Sequence, residues 1–398
     1  MTLQLFGTAT QCIGFDQSRD RSVARLREPD DFAQTKSDFV LVRTLEDFTR
    51  AKDRNWQSFF LIGEEPGWLV SQANDRAIVV PPQFNYLTEG DIVGLRHPSR
   101  RFRTLYRKNS RHNSFLVTER CNNYCLMCSQ PPKDINDRWI LDEIAESLPL
   151  VDPTTRSLTF TGGEPLTDWR AFVAVLAQCR DQLPNTAIQV LTNGRAFADS
   201  QIVNSWSGVR HPDLIAAIPV YAAVDHIHDH VVQAKGAFDE TILGILKLKD
   251  RRQRVEIRVV LHALTVPTIS ETCRWLARNL PFVDHVALMG QENTGFAIAN
   301  DALLWIDPMD YRHALADSVE QLNAVGIHVS VYNLPHCVLE PSVRPFAVQS
   351  ISDWKNGYLD ECKSCSERER CSGLFTSGRP RLSRGIRRLP GRSAHSDS

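Results

Sequence analysis

Between residues 114 and 289 short apolar runs and amphipathic stretches take turns, and no other feature limits the fold as strongly. Residues 114–118, 157–161, 187–192, 214–220, 255–261 and 285–289 are short and apolar, as buried strands are. Residues 142–150, 169–182, 239–249 and 272–279 place apolar side chains at helical spacing. Strands and helices in alternation build a parallel sheet covered by helices. About six such units over residues 111–310 predict an α/β fold, a partial (β/α)6 TIM-like barrel. Chemistry in such a sheet is expected at the C-terminal ends of the strands, where the loops gather.

The polar motifs fall at those ends. Cys121, Cys125 and Cys128 follow the first strand with the spacing C-x3-C-x2-C. Three thiolates can hold three corners of a 4Fe-4S cube and leave one iron open to a substrate or cofactor. A closed zinc site wants four ligands, and the residues that follow supply none. After the second strand come Gly162, Gly163, Glu164 and Pro165. Paired glycines let a backbone approach a ligand closely, and carbonyls with a carboxylate can accept hydrogen bonds from an ammonium group. Thr192 and Asn193 follow the third strand. Arg258 sits within the fifth, where a charge needs a partner. Alternation puts Glu256 on the same face, so Arg258 reads either as half of an ion pair or as a planar fork for a ligand carboxylate. Asp225, His226, His228 and His230 read as a polar strand-to-helix loop, with substrate contact or metal binding as the alternatives.

A second set, Cys337, Cys362, Cys365 and Cys371, supplies four thiols, enough for a fully ligated auxiliary 4Fe-4S cluster or an all-thiolate zinc site. Cys179 and Cys273 lie in helical patterns and read as small core residues. Cysteines so clustered in a chain of 398 residues point to metal ligation rather than a disulfide framework. The start of the chain lacks a basic, then apolar, secretion pattern, and no apolar run approaches a membrane span, so a soluble cytoplasmic protein is expected. A net charge of −1 argues against a nucleic-acid partner. Residues 1–110 carry short apolar runs bounded by turn formers and predict a small β-rich domain. Residues 311–375 form the auxiliary-cluster region, and the arginine-rich, apolar-poor residues 376–398 predict a disordered basic tail.

The cysteine loop followed by Gly162-Gly163-Glu164-Pro165 resembles the signature of the radical S-adenosylmethionine (SAM) superfamily. That resemblance implies that the open iron binds the methionine moiety of SAM. It also implies that Gly162 to Pro165 receive the amino group, that Thr192 and Asn193 line the pocket, and that Arg258 meets the carboxylate. Met127 stands where the family often carries an aromatic residue beside the adenine, and Met289 and Gly290 would line the adenine side. Residues 121–132, 287–296 and 332–337 look like the C-type radical maturase of the His-Xaa-Ser system. The implied substrate is a peptide with His-Xaa-Ser repeats, modified beside a second radical SAM maturase and supplied with electrons by a donor such as ferredoxin or flavodoxin. The barrel motifs equally permit a small-molecule cofactor biosynthesis enzyme, and a non-catalytic electron-transfer protein is the reading from a different class.

Overall fold

Apolar runs in the first hundred residues pair into one sheet. The computed structural model describes residues 4–16, 18, 20–33, 35–63, 75–349, 356–375 and 381–390. Strands β1 (Phe6–Thr8), β2 (Gln11–Ile13), β3 (Arg21–Arg27), β4 (Asp38–Val42), β5 (Ser58–Ile62), β6 (Arg76–Val80), β7 (Ile92–Arg96) and β8 (Arg101–Tyr106) lie in the order β1-β8-β7-β3-β4-β5-β6-β2. Strands β3 to β6 run parallel and the flanking pairs antiparallel. Helix α1 (Leu45–Asp53) joins β4 to β5, and Thr44 with Asp47 closes a reciprocal cap at its start. Alternation in β4 sends Phe39 and Leu41 into one core and Val40 and Val42 into another, so the sheet is covered on both faces.

The next segment is the expected barrel. Strands β9 (Asn113–Leu116), β10 (Ser157–Thr161), β11 (Ala187–Leu191), β12 (Leu214–Pro219), β13 (Arg254–Leu261) and β14 (His285–Gly290) pair in sequence order and in parallel. Helices α2 (Trp139–Ser147), α3 (Trp169–Gln182), α4 (Ser200–Val209), α5 (Asp225–Val232), α6 (Ala237–Asp250) and α7 (Ile269–Asn279) fill the connections. After α8 (Phe296–Ala299), α9 (Asp301–Leu304) and α10 (Pro308–Ala324), strands β15 (Val329–Tyr332) and β16 (Ala347–Val348) extend the half-barrel to eight strands, two beyond the six expected. Both additions are too short to carry a periodic signal, at four and two residues. Leu158, Phe160, Ile188 and Val190 are buried beneath the helices, and burying each such side chain contributes about 1.5–3 kcal/mol. Thr159 and Gln189 point to the opposite, partly exposed face. Cys179 and Cys273 are buried core residues, as expected.

The two sheets meet at α2. The Arg21 guanidinium stacks 3.3 Å above the Trp139 ring, and Arg103 pairs with the buried carboxylate of Glu143. Past the barrel, β17 (Asn356–Gly357) and β18 (Leu374–Phe375) make a small antiparallel ladder. Residues 381–390, expected within the disordered tail, are instead docked. Ser383 Oγ and Arg384 N–H donate to Asp307, the residue that caps α10, at 2.5 and 3.0 Å, while Leu389 is buried and Ile386 packs on the main core. Two apolar residues at the right spacing and one buried acceptor are enough to hold a segment that composition alone reads as unstructured. The remainder of that tail, 376–380 and 391–398, lies outside the described residues. Among the described residues no helix is long and apolar enough to cross a membrane.

Candidate functional site

The cysteine loop is fastened on both sides of Cys125. Tyr124 and Leu126 donate their N–H groups to Val232 and Val231 at 3.0 Å each, and Asn300 Nδ2 reaches the Leu126 carbonyl at 2.8 Å. Phe296 N–H donates to Cys128 O at 2.8 Å. The preceding Gly295 has φ +55°, and a Cβ there would sit 2.4 Å from the same carbonyl, so only glycine fits. Val231 and Val232 end α5, which corrects the loop reading of residues 225–230: they are helical, with Ile227, His228, Val231 and Val232 spaced to cover one face. Of the three histidines His226 is exposed, whereas His228 is buried and accepts the Tyr221 N–H at 3.2 Å through Nδ1.

Burial lowers the pKa of His228 to about 4, against about 6.5 for a free imidazole. The folded state therefore favours the neutral ring. The stability tied to that ring is complete above about pH 6.5 and is lost as pH falls toward about 4. A His228→Gln variant keeps an acceptor for Tyr221 without a group that titrates there. Thermal unfolding midpoints measured from pH 7 to pH 4.5 should fall less steeply for this variant than for the unaltered chain.

The three thiols stand close enough to raise one another's pKa. Burial is the larger cause, pushing Cys121 up to about 11 and Cys125 up to about 12, with Cys128 also raised. Such thiols give up their protons only to a cation that shares the charge. Asn123 N–H donates to Cys121 Sγ at 3.4 Å, a bond that favours thiolate. Among the described residues no group of three or more His, Cys, Asp and Glu converges as a single metal ion requires. A zinc held by bonds of about 2.3 Å would need that convergence. Three soft donors with no fourth protein ligand fit an iron-sulfur cluster.

Gly162 and Gly163 pack directly under this loop. A Cβ on Gly162, at φ +148°, would lie 2.4 Å from Thr118 O, and one on Gly163 would lie 2.0 Å from Arg120 O and 3.2 Å from Cys121 Cβ. Gly163 N–H and Glu164 N–H donate to Thr118 O and Arg120 O, both at 2.8 Å. The Glu164 carboxylate is engaged from within: it accepts Leu166 N–H at 3.0 Å, Thr192 Oγ1–H at 2.7 Å and Asn193 N–H at 2.6 Å. Burial raises its pKa, and these donors oppose the rise. The side chain expected to face a ligand ammonium thus joins the second and third strand loops. Pro165 begins the buried turn that follows.

Asn193 closes the ring, its Nδ2 donating to Asn122 Oδ1 at 2.6 Å. Arg195, absent from the sequence reading, bonds Asn122 O at 2.9 Å, Asn123 Oδ1 at 2.6 Å and Glu240 at 2.6 Å. Asp137 does the same from the other flank, accepting from Thr118, Glu119 and Arg120. Both positions are charged residues near a motif, but their partners lie 17 or more residues away and leave no local signal.

Arg258 forms the ion pair that its strand face allows. Its Nε donates to Glu256 Oε1 at 2.6 Å, and Glu256 is also held by His285 Nδ1 at 2.8 Å and Gln189 Nε2 at 3.1 Å. Burial pushes the Glu256 pKa up, yet Arg258 and His285 outweigh it and hold it at about 2. Strand register carries Arg258 to the level of Pro219 at the end of β12. Two residues beyond that strand end stands Tyr221, a buried phenol within electrostatic range of Arg258 and all three cysteines. Met127 packs with Tyr221, Val231 and Leu304, and Met289 lies on the same face as Arg258.

The second thiol set also assembles. Cys337, Cys362, Cys365 and Cys371 line one cavity of about 20 Å³ with His336, Ile386 and Leu389. Cys371 Sγ accepts N–H bonds from His336 at 3.3 Å and Gly373 at 3.4 Å, and Cys365 Sγ accepts from Leu389 at 3.4 Å. The docked C-terminal segment therefore packs beside the thiols and donates a hydrogen bond to one of them.

Residues 115–276 match the family model of the radical SAM superfamily. No curated protein matches the chain. Among solved structures, Streptococcus suis SuiB bound to S-adenosylmethionine is 13% identical with a TM-score of 0.45, covering 56% of this chain and 51% of its own. The chain thus spans about half the length of that protein. Native anSMEcpe with bound AdoMet is 14% identical with a TM-score of 0.42, covering 54% of this chain and 62% of its own. A radical SAM methyltransferase from Sphaerobacter thermophilus is 15% identical with a TM-score of 0.43, covering 61% of this chain and 72% of its own. The superfamily that residues 115–276 resemble in this match is one that implies a 4Fe-4S cluster and SAM.

Proposed function

We propose that the chain is a radical SAM enzyme that modifies a ribosomally made peptide, a partner rich in His-Xaa-Ser repeats. One observation carries the reading: Cys121, Cys125 and Cys128 share a loop whose underside is the Gly162–Gly163 backbone. In this reading the three thiolates hold a 4Fe-4S cluster, which with SAM supplies one-electron cleavage of the sulfonium to methionine and a 5′-deoxyadenosyl radical. The chain's own residues bind and orient. The backbone of Gly162 to Pro165 offers carbonyls to the amino group, Arg258 offers its remaining guanidinium donors to the carboxylate, and Asn193 with Arg195 holds the loop still. Glu164 and Thr192 act one step back by fixing Asn193. Buried Tyr221 belongs to the apolar cluster against which Cys125 packs.

The peptide substrate rests on the maturase-like stretches at residues 121–132, 287–296 and 332–337 and on the four C-terminal cysteines, read as ligands of an auxiliary 4Fe-4S cluster. A second radical SAM maturase and a ferredoxin or flavodoxin donor complete the proposed system. The test is mass spectrometry of a His-Xaa-Ser repeat peptide co-expressed anaerobically with this chain and its companion maturase. A mass change should accompany the unaltered chain and disappear with Cys128→Ala. An unmodified peptide, with 5′-deoxyadenosine still formed, would move the substrate to small-molecule chemistry.

A further inference from the structure

His336 stands next to Cys337 in the turn after β15, 3% exposed, and it lines the same cavity as the four C-terminal cysteines. Its Nδ1 lies 3.1 Å from Glu367 Oε2, and Glu367 also pairs with Arg370 at 2.8 Å. A carboxylate held by an arginine is ionised and only accepts, so Nδ1 carries the hydrogen and donates it. That fixes Nε2 as the nitrogen with a lone pair. Nε2 is buried and has no hydrogen-bond partner among the described residues. The backbone cannot easily turn the ring elsewhere, because His336 N–H donates to Cys371 Sγ at 3.3 Å and His336 O accepts from Arg344 Nε at 3.2 Å.

A buried acceptor left without a partner is costly unless the occupant of the cavity it lines satisfies it. Carboxylate on one ring nitrogen and metal on the other is how a ligating histidine is usually held. We propose that His336 Nε2 is a fifth donor of the second thiol site, ligating one iron of its cluster, with Glu367 fixing the tautomer. This rests on the reading of Cys337, Cys362, Cys365 and Cys371 as cluster ligands. Five donors around four irons leave one thiol in reserve, and imidazole in place of thiolate raises a cluster's potential, which suits a centre that takes an electron from the substrate side.

The experiment uses the full chain with Cys121, Cys125 and Cys128 replaced by Ala, so that only the second site binds. The protein is grown on histidine carrying 15N in the imidazole ring, reconstituted with iron and sulfide, reduced and examined by pulsed electron paramagnetic resonance. A directly bonded imidazole nitrogen should appear, change with the isotope, and vanish in His336→Ala. One of the four single Cys→Ser variants of the second set should keep its cluster. A cluster with no imidazole coupling would overturn the assignment and leave the auxiliary-cluster reading standing. Failure to assemble any cluster would overturn that reading, and His336 with it. The labelled chain keeps His336 in place, so the result does not depend on how a His336 variant folds.

Discussion

Cys125→Ala lowers 5′-deoxyadenosine formation to the level without enzyme when the chain is reconstituted anaerobically and given reductant and SAM. The reason is local. Tyr124 and Leu126, its two neighbours, are hydrogen-bonded to the end of α5 at 3.0 Å, so removing the sulfur leaves the loop where it is. What is lost is the ligand in the middle of a three-donor set, and two thiolates cannot hold a cube whose fourth corner must remain open. Cys12→Ser is the matched control, since Cys12 lies in β2 at the edge of the N-terminal sheet and touches none of this. The variant's thermal midpoint in the absence of iron should match that of the unaltered chain, which separates a lost ligand from a lost fold. Full turnover by Cys125→Ala would end the proposal that this loop carries the cluster.

The sequence discloses those parts of the molecule whose signal is local. Strands β9 to β14 read correctly because each is a short apolar run, and the motifs stand out because cysteine and glycine spacing is a local pattern. Helix α5 was hidden by composition: an Asp-His stretch looks like a loop, and only its buried face, His228 with Val231 and Val232, shows that it packs. Arg195 was hidden by distance, because the residues it braces lie 72 positions and more away in the chain. The docked residues 381–390 were hidden by their neighbours, since arginines outnumber the two apolar anchors, Ile386 and Leu389. Glu164 is the instructive case. Its motif marks the right place, yet its role there depends on three donors that no periodicity announces.

That role gives the second large effect. Glu164→Ala takes one carboxylate from three donors at once, leaving the Leu166 N–H, the Asn193 N–H and the Thr192 hydroxyl without a partner in a buried place. A buried donor left without its partner costs about 1–3 kcal/mol, and with partial relaxation the three together cost about 3–5 kcal/mol. At about 2–4 °C per kcal/mol for a domain of this size, the thermal midpoint should fall by about 6–20 °C. The chemical consequence is separate. Asn193 loses its anchor and with it the 2.6 Å bond to Asn122, so the cysteine loop loses one of its ties to the third strand. Reconstituted Glu164→Ala should bind SAM more weakly even at temperatures where it is fully folded, by calorimetric titration of the cluster-loaded protein. Glu164→Gln keeps two acceptor lone pairs but turns an amide toward a donor, so it should fall between. If Glu164→Ala were destabilised yet bound SAM as the unaltered chain does, Glu164 would be a structural residue alone, and the bracket from Glu164 through Asn193 to Asn122 would have no part in positioning the cofactor.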